Sequence, residues 1–196
     1  MSRVPGLLRR VPWVLWAALL AAIILGGVQL CRGEGRTVVV VGAGPLSEVR
    51  AEDAPEGARY DVRTGSSEPL EQTGRRIREA ISEWPDVIVL GLDGQQVTDA
   101  ASAARARRLL EELTRSAENA TAVPVVVGFA GAETDAAQGL QRWWRTELCA
   151  RKGLRLCVDI APHAGDAEAL RQAVATTVLD ALGRHRVLRA STQGER

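Results

Sequence analysis

With 196 residues the chain can form one domain with a sizeable core, and an N-terminal apolar segment leaves about 160 residues for it. Charged residues make up 25% of the chain but the formal net charge is +1, so no overall field favours nucleic acid or an acidic substrate. The cysteines and the two histidines, His163 and His185, show no zinc-like clustering, and neither a metal nor a cofactor is expected.

Residues 1–10 carry Arg3, Arg9 and Arg10, and from Val11 to Cys31 there is no charged side chain. At about 1.5 Å per residue this run can cross a hydrocarbon core of roughly 30 Å, so 11–31 reads as a transmembrane helix. It exceeds the core of a cleavable signal, about 7 to 15 residues, which points to an uncleaved signal anchor. The arginines before it place the N-terminus in the cytoplasm and the domain outside. Leu30 before Cys31 is bulky where lipoprotein processing needs a small residue. Lys152 is the only lysine, which together with abundant alanine suggests GC-rich coding and a bacterial cytoplasmic membrane.

After a linker over 32–36, Thr37–Ser47 (TVVVVGAGPLS) reads as a strand buried on both faces running into a glycine loop. Pro45–Gly57 has no apolar stripe that could pack a full helix and reads as a loop with one helical turn. Tyr60–Arg63 is a short second strand. In 72–84, Ile77, Ala80, Ile81 and Trp84 fall on one helical face, and Pro85 ends the helix. Val87–Leu90 is a third buried strand, closed by Gly91-Leu92-Asp93-Gly94.

A helix is expected over Asp99–Glu118, a strand over Val125–Phe129 ending near Gly131, and a helix over Asp135–Ala150 burying Leu140, Trp144 and Leu148. Leu154–Ile160 is the fifth strand, followed by His163 and a helix capped by Asp166. The polar, basic residues 186–196 read as a frayed tail. Strands alternating with helices imply an α/β domain over 37–185, three layers around a five-stranded parallel sheet, and the order expected for it is the flavodoxin-like 2-1-3-4-5. Cys149 and Cys157 flank a short turn and, in an oxidising compartment, are either a disulfide or two buried thiols.

The glycine loop nearly spells the dinucleotide fingerprint G-x-G-x-x-G, with Ser47 in place of the third glycine. That fingerprint needs a helix whose N-terminus meets the pyrophosphate, and SEVRAEDAPEGA cannot supply one. A nucleotide or dinucleotide binder using Gly42 and Gly44 is therefore the third reading.

The order of the pieces resembles the SGNH, or GDSL-type, hydrolase family over nearly the whole domain. The closest match is the helix to Trp84 followed by Pro85-Asp86-Val87-Ile88-Val89-Leu90-Gly91; the next is the fifth strand with Asp159, then His163 and the last helix. The resemblance implies an ester hydrolase or acyltransferase layout, with the nucleophile at Gly44, oxyanion donors at Gly65 and Asp93, and an Asp159–His163 pair. Gly42-Ala43-Gly44 stands where Gly-Asp-Ser is expected, so the nucleophile position has no side chain. Asp93 replaces an asparagine and, ionised, accepts hydrogen bonds but cannot donate one. Asp159 and His163 are separated by three residues where the family has two. Ser47 is either a nucleophile in a displaced loop or a helix cap; His163 is either its general base or an exposed loop histidine.

The expectation is a degenerate, membrane-anchored member that binds or scaffolds in the envelope. Its partner would be a glycan or a protein. An active enzyme using Ser47 and His163 on acylated glycans or lipids is the second reading.

Overall fold

The computed structural model describes residues 36–129, 133–163 and 165–194. The uncharged run 11–31, Gly131 and Ala164 lie outside them. β1 (Arg36–Ala43), β2 (Ala58–Gly65), β3 (Val87–Gly91), β4 (Val123–Val127) and β5 (Leu156–Val158) form one sheet in the order β2-β1-β3-β4-β5, parallel at every pairing. The helices are α1 (Leu70–Ser82), α2 (Ala100–Asn119), α3 (Asp135–Trp143) and α4 (Ala167–Gly194).

The valine run in β1 explains its central place. Val39 and Val41 belong to an apolar cluster with Ile77 of α1, Leu110 of α2 and Leu140 of α3, whereas Val38 and Val40 join Val174 and Val178 of α4. Alternate side chains thus feed the two outer layers, as a strand covered on both faces requires. β1 and β3 approach so closely that a Cβ on Gly42 would lie 2.3 Å from the Gly91 carbonyl oxygen, which excludes any other residue there.

After β1 the chain makes two 3-10 turns, Gly44–Glu48 and Ala51–Asp53, in place of a packed helix. β4 begins two residues earlier than expected. Pro124 sits near the start of that strand, before pairing with β5 begins at Val125, so its missing N–H leaves no gap in that ladder.

Three expectations are corrected. Trp84 is not on the buried stripe of α1: it is 70% exposed, with φ 57°, because the helix ends at Ser82 and Pro85 bars its own predecessor from the helical region. The helix after β4 is α-helical only to Trp143 and continues as a π-helical turn, Trp144–Leu148, with the Cys149 N–H bonded to the Trp144 carbonyl at 2.9 Å. This widened turn buries both Trp143 and Trp144. The last helix does not stop before residue 186: α4 continues to Gly194 and carries buried His185 and half-buried Leu188.

Candidate functional site

The carboxyl ends of β2, β1 and β3 bring Gly65, Gly44 and Asp93 side by side. Gly44 has φ +68°, and a Cβ built on it would lie 3.2 Å from Asp93 Cα and 3.3 Å from Asp93 Oδ1. The position expected for a nucleophile is therefore a left-handed backbone pressed against the Asp93 residue. Asp93 is 5% exposed, and its side chain caps the short turn Gly94–Gln96 by accepting the Gln95 N–H at 3.0 Å. Its other oxygen, Oδ2, is buried with no hydrogen-bond partner. A buried acceptor left unmatched costs about 1–3 kcal/mol, so this oxygen favours any donor that reaches it.

On the other side of β1, Gly65 lies under Glu68, whose Oε1 would be 2.5 Å from a Cβ at position 65. Arg76 of α1 pairs with Glu68 and also donates to the Arg63 carbonyl at 3.3 Å. Glu68 Oε2 is likewise buried without a partner. Gln96 Nε2 donates to Ser67 Oγ at 3.1 Å and joins the loops after β2 and β3. Two carboxylates, each with one unmatched oxygen, thus flank the end of β1. Sequence reasoning missed Glu68, Arg76 and Gln96; the available signal was a carboxylate three residues beyond the strand-end glycine, in a loop that also carries Ser66 and Ser67.

Among the described residues no hydrogen bond joins Ser47 to His163. Ser47 is exposed in the first 3-10 turn, where its hydroxyl donates to the Gly44 carbonyl at 2.7 Å, a local turn bond and not a bond to a base. His163 ends a 3-10 turn, Ala161–His163, beyond β5. β5 lies three strand spacings from β1, about 14 Å. Among the described residues its imidazole makes no hydrogen bond or ion pair.

Asp159 does not orient that imidazole by a hydrogen bond. Arg145 holds it from two sides, with Nε 2.9 Å from Oδ2 and Nη2 2.9 Å from Oδ1, and Oδ1 also accepts the Ala161 N–H at 3.1 Å. Partial burial opposes ionisation, but the bonds from Arg145 and Ala161 and the nearby His163 outweigh it and keep the carboxyl below the usual aspartate range. The π-helical turn carries Arg145 to this position. The same segment leads to Cys149, which forms a disulfide with Cys157, with Cα atoms 6.0 Å apart.

Among the described residues no cluster of histidine, cysteine and acidic side chains is arranged to hold a metal ion. The glycine loop opens a five-residue 3-10 turn, so the helix N-terminus that a dinucleotide pyrophosphate requires is absent from that loop.

No family model and no curated protein sequence matches the chain. Solved structures do. A GDSL-like lipase from Bacteroides thetaiotaomicron superposes with a TM-score of 0.57 at 15% identity, over 84% of this chain and 97% of that one. A protein assigned to the lipolytic G-D-S-L family from Desulfitobacterium hafniense gives 0.54 at 11% identity, over 65% and 79%. At such identities the likeness concerns the backbone, and it agrees with the parallel sheet and its strand order. The fold of this chain is the α/β fold of the SGNH, or GDSL-type, hydrolases.

Proposed function

We propose that this chain is a membrane-anchored, extracytoplasmic SGNH-type domain that binds a donor-rich ligand, such as an envelope glycan, and does not hydrolyse esters. The observation that carries the reading is the contact of Gly44 with Asp93. Where acyl transfer needs a nucleophile and oxyanion donors, this strand end offers a bare backbone and an acceptor oxygen, Asp93 Oδ2, buried without a partner. Sugar hydroxyl and amino groups are donors that such an oxygen, and Glu68 Oε2 beside it, would accept. The uncharged run 11–31 supplies the anchor, with the N-terminus in the bacterial cytoplasm and the domain outside.

The test is reaction of the full chain with a fluorophosphonate probe, alongside titration with cell-wall glycan fragments. The expected result is no adduct, together with saturable binding that Asp93→Ala weakens. An adduct at Ser47 that disappears in His163→Ala would establish the hydrolase instead.

A further inference from the structure

The pole of the sheet where the strands begin carries features that the strand-end site does not use. Trp84 stands there, two residues before Asp86, whose N–H bonds the Thr37 carbonyl at 3.0 Å. Its 70% exposure is joined by a φ of 57°, a left-handed conformation that a bulky side chain adopts only at a cost. A helix end with this φ ordinarily has glycine or asparagine. Keeping a large aromatic ring both strained and exposed calls for something that the ring meets.

The surroundings indicate what that is. Arg36, Arg186 and Arg189, with Asp86, His185 and Ala190, line a cleft of about 310 Å³ at this pole. Among the described residues Asp86 is the only acidic one lining it, and it already meets Thr37 N–H at 3.1 Å, Arg189 at 3.2 Å and His185 at 3.4 Å. Arg186 makes no hydrogen bond or ion pair among the described residues. α4 continues from His185 to Gly194, about 13 Å of helix axis, and presents Val187 at 69% exposure. A tryptophan and several arginines at one pole, with an apolar side chain between arginines in sequence, is the composition of surfaces that sit at headgroup level on a bilayer. Arg36 also follows the end of the uncharged run, Cys31, by only five residues.

We propose that this pole is a second membrane contact, in which Trp84 and Val187 enter the interfacial layer while Arg36, Arg186 and Arg189 meet anionic lipid phosphates. It rests on the anchored reading above and adds to it a fixed posture: the strand-end site on the opposite pole is turned away from the bilayer. Anionic lipid, not the anchor alone, sets this posture.

The test uses the full chain carrying Trp13→Phe and Trp16→Phe. Its remaining indoles are Trp84 and the core residues Trp143 and Trp144, so quenching by bromine on the acyl chains reports Trp84. In vesicles containing phosphatidylglycerol, the expected result is a blue shift and a loss of emission, both reduced by Arg186→Glu and weaker in pure phosphatidylcholine. Trp84→Gly, which relieves the left-handed backbone, should remain folded and lose the signal. If alkaline carbonate leaves the chain in the membrane while Trp84 stays unquenched, the contact is overturned and the anchor survives. If carbonate releases the chain, the anchor fails. Sedimentation of the released chain with anionic vesicles then decides: binding lost in Arg186→Glu keeps the pole contact, and no binding overturns it.

Discussion

Gly44 determines what the strand-end site can do, because two separate effects bar a side chain there. The φ of +68° disfavours any L-residue other than glycine by about 1–2 kcal/mol, and the space a Cβ would occupy lies 3.2 Å from Asp93 Cα. Introducing a hydroxyl by Gly44→Ser should therefore lower the thermal midpoint and yield no fluorophosphonate adduct. On the proposed reading the left-handed backbone, as well as the absent side chain, stands against a nucleophile at this position. Gain of labelling in Gly44→Ser, lost on adding His163→Ala, would show instead that only the side chain is missing. Gly42 is different in kind: its constraint is the Gly91 carbonyl, a matter of strand packing, and it says nothing about chemistry.

Among the elements, the segment from α3 to β5 is the one whose form depends most on tertiary contacts. The disulfide between Cys149 and Cys157 closes a loop with a sequence separation of 8, and a loop of that size is stabilised by about 2 kcal/mol through the entropy removed from the unfolded chain. Cys149→Ser combined with Cys157→Ser should lower stability by that amount in chemical denaturation. Wild type under reductant should match the double variant, and identical denaturation midpoints with and without the bridge would refute the assignment. The strands were legible because runs such as VVVV and VIVL admit few other readings, and their alternation with helices implied a parallel sheet, though it does not by itself fix the strand order.

The π-helical turn was not legible, since bonding five residues back goes here with the burial of two adjacent indoles, a tertiary contact that helical periodicity does not encode. With it went the Arg145–Asp159 pair. Trp84 was misplaced for a related reason: helical periodicity assumes that the helix continues, and here the chain turns left-handed before Pro85. Of the candidate site, the meeting of Gly44, Gly65 and Asp93 was implied by the resemblance to the SGNH layout. The acid–arginine pairing of Glu68 and Arg76 depended on side-chain reach that spacing does not encode.

At the scale of the molecule, α4 ties the beginnings of β1 and β3 to the outer layer, and the tie is sensitive to pH. His185 is 6% exposed, with Nδ1 3.4 Å from Asp86 Oδ1, and the charged groups facing it are Asp86, Arg189 and Arg36. Burial pushes its pKa down from 6.5; Asp86 opposes that shift, and Arg189 and Arg36 add to it. In the unfolded chain the imidazole takes up its proton near 6.5, whereas the folded protein resists until a lower pH. Between those two values the unfolded state binds more protons, so stability declines as pH falls through the window and levels off below the folded value. The carboxyl of Asp159 acts in the same direction at lower pH: its folded pKa lies below 3.8, and the stability it contributes above that value is lost on acidification. Denaturation midpoints measured from pH 7 to pH 5 should therefore fall in wild type and change less in His185→Gln, which cannot titrate. His163, the other histidine, stays in both proteins and serves as the internal control. Equal slopes in the two would remove His185 from the coupling and leave Asp86 held by Thr37 and Arg189 alone.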